Sequence, residues 1–271
     1  MRIEVEHHSR YRFTEPQARV VQLLRLFPGD TVNQTVVDWR IDVDCDARLR
    51  EARDGYGNII RMLYAEGPLE TIGITVSGEV LLPDTMQAID ASAEPLPPAC
   101  YLRTTPLSAA DAAMTRFARS AAGEGDVRSS VERLTAALHD RFEIDRRRGD
   151  GVLPAAEAFA GDRASPRDLA QMLVGCIRAI GIPARYVSGY SLGGCERRER
   201  PAPHGWAEAY VDGYGWLALD PSLGGPSGLD HVRVAVALDS AGAAPISGTR
   251  IGHGEEELDV DVAVGRLGSN G

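Results

Sequence analysis

Residues 3 to 13 alternate between two kinds of side chain. Ile3, Val5, His7, Tyr11 and Phe13 fall on one side, and Arg2, Glu4, Glu6, His8, Arg10 and Arg12 on the other. Period-two alternation predicts a strand with one buried and one wet face. His7 and His8 are then the two faces of that strand, with no metal role. Further strand-like runs follow at Val36–Val43, Leu49–Arg53, Ile59–Tyr64 and Ile72–Leu82. Asp54-Gly55-Tyr56-Gly57-Asn58 sits between two of them as a hairpin turn. Residues 1–85 therefore read as a β-rich N-terminal domain.

The pattern then changes. Residues 83 to 106 hold five prolines and little periodicity, and 86–106 reads as a linker. Ser108 with Asp111 suggests a capping box opening a helix that runs to about Ala122. A second helix carries Val127, Val131, Leu134, Leu138 and Phe142 on one face, with His139 beside the stripe as a surface or packing residue. The Arg146-Arg147-Arg148 run reads as a solvated loop, and Pro154–Ala160 suits a short helix. From Arg167 to Ile180, Leu169, Met172, Leu173, Cys176, Ile177 and Ile180 recur at i, i+3, i+4, i+7, i+8 and i+11, which predicts a buried amphipathic helix. Gly181 ends it, and a strand begins at Ile182. Strands at Trp206–Val211 and Trp216–Leu219 follow, joined through Asp212-Gly213-Tyr214-Gly215. A core over 107–229 is thus expected, then C-terminal strands over 230–264 that pack back onto one of the two units. The 265–271 tail is expected to fray.

Composition narrows the function. No run of about 18 apolar residues occurs, so no membrane span is expected. Met1-Arg2-Ile3-Glu4 lacks the apolar segment of a secretion signal, so the expected location is cytoplasmic. Cys45, Cys100, Cys176 and Cys195 lie far apart with no CxxC spacing, which suits free thiols; no metal or other cofactor is expected. The 29 basic and 39 acidic residues give a net charge of −10. That balance disfavours a nucleic-acid surface and an anionic membrane.

Two motifs carry chemistry. Pro203-His204-Gly205-Trp206-Ala207-Glu208-Ala209-Tyr210 puts a His on one strand, and Gly215-Trp216-Leu217-Ala218-Leu219-Asp220-Pro221 puts an Asp at the end of the next. With Gly181-Ile182-Pro183-Ala184-Arg185-Tyr186-Val187 before them, the stretch from Ala155 to Asp220 resembles the core of the bacterial transglutaminase-like superfamily, often described as cysteine proteases. The Tyr11-Arg12-Phe13 strand and the turn at Asp54–Asn58 are similar to that family's β-rich N-terminal region. Asp230-His231-Val232-Arg233-Val234-Ala235-Val236 is similar to the segment that follows the core.

The resemblance implies an α+β fold: the β domain, then papain-like helices on an antiparallel sheet. It also implies thiol catalysis, in which a Cys thiolate at a helix N-terminus attacks an amide and forms an acyl-enzyme. His204 matches the family His, Asp220 the family Asp, and Asp168 the acid two residues after the Cys. The Cys position therefore falls on Pro166, which supplies neither a nucleophile nor an N–H for the oxyanion. Pro166 instead suits the first position of a helix, with Ser165 as N-cap and Asp168 at the capping-box position. Leu169 and Gln171 replace an aromatic and a His common in these proteins, and Ser240 stands where they often carry a Tyr.

The leading expectation is a pseudoenzyme that keeps a cleft for a peptide or γ-glutamyl-type amide, lined by Asp168 and Trp206, or that acts on a partner protein. The alternative is a live amide hydrolase or acyltransferase using Ser165 or Cys195 as nucleophile, with His204 as base and Asp220 as orienter. A scaffold subunit with a filled cleft is the third reading. The sequence leaves the ligand, the partner and the oligomeric state open.

Overall fold

The computed structural model describes residues 1–85, 87–90, 93–145, 151–193, 203–227 and 229–267. The first sheet grows from two long antiparallel strands, β1 (Arg2–Leu24) and β4 (Ile59–Leu81). The alternating residues of β1 bury Ile3, Val5, His7, Tyr11 and Phe13 as their spacing predicts. β2 (Thr35–Val43) and β3 (Ala47–Arg53) both pair with β4. Two sequence runs, Ile59–Tyr64 and Ile72–Leu82, merge into one continuous β4. The residues between them lack alternation, and β1 bulges opposite them around Gln17. A Cβ on Gly67 would strike the Gln17 carbonyl oxygen, so the two backbones approach closely only because residue 67 has no side chain.

The segment after β4 docks against the following unit. Ile89 exchanges backbone hydrogen bonds with Trp216, and Tyr101, in a short 3₁₀ turn at Pro98–Leu102, is fully buried. Helices α1 (Ala112–Ala122) and α2 (Val127–Arg141) follow. The cap of α1 differs from the expected box. Asp111 is itself the N-cap and accepts from the Met114 amide, while Ser108 bonds Thr105. A short helix α3 (Ala155–Phe159) and the strand pair β5 (Glu143–Ile144) and β6 (Arg163–Ala164) lead into α4 (Pro166–Ala179).

The second sheet is antiparallel, in the order β10–β9–β8–β7–β11. Its strands are β7 (Ala184–Ser191), β8 (His204–Val211), β9 (Gly215–Asp220), β10 (Gly225–Pro226) and β11 (His231–Ala237). α4 covers one face, and Leu169, Met172, Leu173, Cys176 and Ile177 are wholly buried in a core shared with α1, α2, Ala184, Ala207 and Leu219. Tyr190, Val232 and Val234 instead join the core of the first sheet. Every residue of β7 is buried because it has packing on both sides.

The C-terminal strands divide between the two sheets instead of adding to one. β11 joins the second, whereas β12 (Ile246–Ile251) and β13 (Glu256–Arg266) pair with β1. The chain is a mixed α+β protein. Among the described residues, no helix is long and apolar enough to cross a membrane.

Candidate active site

The order of elements brings separate residues to one end of the second sheet. His204 opens β8 opposite Gly189 of β7, and His231 opens β11 opposite Ser191. Asp220 closes β9, which runs antiparallel to β8. α4 and β7 are joined by the short turn at Gly181–Pro183, so the helix runs back along the sheet and begins at that same end. A Cβ on Gly189 would strike the Val232 carbonyl oxygen and lie 2.8 Å from the Trp206 ring. Glycine there lets the neighbouring strands close on this end of the sheet.

His204 Nε2 donates to Asp220 Oδ2 at 2.7 Å, and His231 Nε2 donates to the same oxygen at 3.0 Å. The carboxylate only accepts, so both Nε2 atoms carry hydrogen. The other carboxylate oxygen, Oδ1, accepts from the Ser222 amide at 2.8 Å. Behind His231, its Nδ1 donates to Asp230 Oδ1 at 2.8 Å, and Asp230 Oδ2 accepts from the Gly193 amide. His204, Asp220 and His231 are all buried, at 3%, 0% and 5% exposure, so these bonds form where water does not compete.

The electrostatics follow from that geometry. Burial alone would lower the His231 pKa, but hydrogen bonds to Asp220 and Asp230 and their charges overcome it and raise it to about 9. His231 is therefore an imidazolium at neutral pH. Burial alone would raise the Asp220 pKa, and the two histidines reverse this, holding the carboxyl well below its ordinary range. The hydrogen bond from His231 lowers the Asp230 pKa to about 2. The Trp206 ring stacks on His204 at 6.2 Å between centroids and meets the His231 ring edge-on at 5.0 Å, so one indole buttresses both imidazoles.

At the start of α4, Pro166 is buried at the first helical position and Ser165 is the N-cap. The Ser165 hydroxyl accepts from the Asp168 amide at 3.2 Å and donates to Asp168 Oδ2 at 2.8 Å; that oxygen also accepts from the Ser165 amide. The capping box expected from the sequence thus employs both the hydroxyl and the carboxylate. Gln171 spans the interior: its Nε2 donates to the Leu107 and Leu153 carbonyls, and its Oε1 accepts from the Ser240 amide. Two positions expected from the sequence to depart from the family pattern, Gln171 and Ser240, therefore meet in one contact.

Cys195 lies outside the described residues, as do Arg146–Arg148. Cys176 is on the buried face of α4, where burial pushes its thiol up to about 12. His139 is half-buried, with Nδ1 3.0 Å from the Pro221 carbonyl. Arg185 is completely buried in a ring of alternating charge: it donates to Glu208 at 2.6 Å and Glu94 at 3.2 Å, while Arg233 bonds Glu94 at 3.0 Å and lies 3.2 Å from Glu208. Its guanidinium rests on the Trp216 ring at 4.0 Å. Two clefts on the first sheet, one beside His8 and Asp44 and one beside Pro16 and Ile251, are lined by none of His204, Asp220 or His231.

Sequence reasoning missed His231 and Asp230 as members of this cluster. The adjacent Asp-His pair at the start of a strand was the available signal. It gains meaning only when β11 is placed beyond β7.

Comparison with known proteins agrees with this architecture. Residues 115–221 match the model of the transglutaminase-like superfamily, and residues 3–81 match that of the bacterial transglutaminase-like N-terminal region. An uncharacterized protein of Mycobacterium leprae is 27% identical over 288 residues, covering 98% of this chain and 99% of its own length. An uncharacterized protein of Mycobacterium tuberculosis is 24% identical over 290 residues, covering 97% and 91%. A crystal structure from Cytophaga hutchinsonii, described as "a Putative Cysteine Protease", superposes with a TM-score of 0.78 at 19% identity, covering all of this chain and 92% of that one.

Proposed function

This chain belongs to the transglutaminase-like superfamily, and we propose that it has lost thiol catalysis and works by binding a peptide or amide ligand or a partner protein. The observation that carries this reading is Pro166. The family's thiol belongs at the first position of α4, where the helix dipole would hold it as thiolate. Pro166 fills that position and is buried there. It offers no nucleophile, and its missing N–H removes a donor to the oxyanion, a loss that typically costs about 3 kcal/mol of barrier. Ser165 does not stand in, because its hydroxyl is engaged on both sides by Asp168.

His204 and Asp220 then serve as polar groups of the binding site. A hydrogen-bonded imidazole and a capped helix start can recognise an amide without cleaving it. The cleft that would hold the ligand is part of the proposal.

The test is turnover of γ-glutamyl amides and glutamine-containing peptides, with water or a primary amine as acceptor, by the full chain and its His204→Ala variant. No turnover by either chain is the expected result, together with a thermal shift for at least one of these ligands. Turnover that disappears in His204→Ala would overturn the reading, and its loss in Ser165→Ala or Cys195→Ala would then name the nucleophile.

A further inference from the structure

A triad needs one histidine on its aspartate, yet Asp220 Oδ2 receives two, from His204 on β8 and His231 on β11. We propose that His204, Asp220 and His231 form a binding site for one divalent transition-metal ion of the Zn²⁺ class. The inference goes beyond the loss of thiol catalysis, and either reading can fail with the other intact.

The donor set fixes the class of ion. Two imidazole nitrogens and one carboxylate oxygen suit Zn²⁺ and its neighbours, whereas Mg²⁺ and Ca²⁺ take oxygen donors. One ligand atom from each residue lies within 4.8 Å of the others. A tetrahedral ion with bonds of about 2.0–2.2 Å holds its ligand atoms about 3.4 Å apart. The two nitrogen–oxygen separations of 2.7 and 3.0 Å therefore need to open by about 0.4 to 0.7 Å, while the two nitrogens, already within 4.8 Å of one another, settle to the same spacing.

The surroundings are built in the same sense. Metal-binding histidines commonly donate their other ring nitrogen to a carboxylate, which fixes the tautomer and strengthens the ligand. His231 does so to Asp230. The Ser222 amide holds the far oxygen of Asp220, leaving Oδ2 for the ion. All three ligands sit at strand ends of one sheet, and Trp206 walls both rings, so the donors are held by backbone pairing and packing. The ion must displace the hydrogen that each Nε2 now carries, so it fills the site in competition with protons.

The test uses the full chain without an affinity tag. The protein is equilibrated with Zn²⁺ and passed into metal-free buffer, and the metal is counted by plasma mass spectrometry. Affinity is then read by competition with a chromophoric chelator. One Zn²⁺ per chain is expected, with affinity reduced at least 100-fold in His231→Ala and His204→Ala and about 10- to 100-fold in Asp230→Asn. Circular dichroism checks that each variant is folded. For the unaltered chain, the visible spectrum of bound Co²⁺ gives a reading that needs no variant: a tetrahedral nitrogen–oxygen ligand field supports the site. Well under one ion per chain, a thiolate charge-transfer band, or unchanged affinity in both folded histidine variants would overturn it.

Discussion

His7 Nδ1 on the first sheet lies 2.9 Å from the Tyr190 hydroxyl on the second, a buried bond that joins the two units through one imidazole. Its Nε2 lies 2.9 Å from the Ser9 hydroxyl. Two hydroxyls can satisfy a neutral ring, one as donor and one as acceptor. Burial, helped by the neighbouring His8 charge, accordingly lowers the His7 pKa to about 4.

The sign of the pH effect follows. Between about 4 and 6.5 the unfolded chain binds a proton at residue 7 that the folded chain refuses. The His7 contribution is complete above pH 6.5 and falls as the pH drops toward 4, by up to about 3 kcal/mol. Urea unfolding of the protein and of His7→Gln across this range should show a smaller acid loss in the variant. Parallel pH profiles would remove His7 as the source.

Breaking the buried ring of charge at its centre should cost more than any surface ion pair. Glu208→Ala leaves the Arg185 guanidinium buried with half its compensation gone, and about 3–5 kcal/mol is the expected loss of stability. Glu94→Ala weakens the same ring from the docked segment between the two units. Limited proteolysis should then cut near residues 87–103 faster than in the unaltered chain.

Ser165→Ala removes the helix cap and should destabilise the protein by about 1 kcal/mol, with Ser165→Gly losing only a few tenths. Denaturant midpoints at neutral pH measure both. Equal losses in the two variants would mean that the hydroxyl contributes something other than capping.

Leu173→Ala on the buried face of α4 should cost about 2–5 kcal/mol, because the site lies between helices and sheet and cannot collapse around the missing atoms. A loss below about 1 kcal/mol would indicate a far looser core than this packing implies.

The sequence exposed those parts whose physics is local. The period-two alternation of β1 and the cap, proline and apolar stripe of α4 each state their structure within a dozen residues. β4 did not: its two halves join through pairing with β1 and the close approach at Gly67, and no periodicity marks the residues between. At α1 the sequence suggested a box formed by Ser108 with Asp111, and three-dimensional partners made Asp111 itself the cap. His204 and Asp220 were legible because they sit in short motifs on adjacent strands. His231 was not, since it meets Asp220 only after β11 is placed on the far side of β7. Glu94, in a stretch without pattern, finds Arg185 and Arg233 only in the folded molecule.

The division of the C-terminal strands sets the order in which this protein can be completed. β1 pairs with β4 along one edge, but its other edge lacks partners until Ile246–Arg266 have emerged. Through that interval a long strand with one apolar face must keep an open edge, the condition in which nascent chains associate wrongly. The finished sheet closes with the Leu267 amide on the Arg2 carbonyl, bringing both ends of the described chain together. A connection between those ends, with new ends opened elsewhere, would let β13 and β1 emerge as neighbours and turn a pairing of very long sequence separation into a local hairpin.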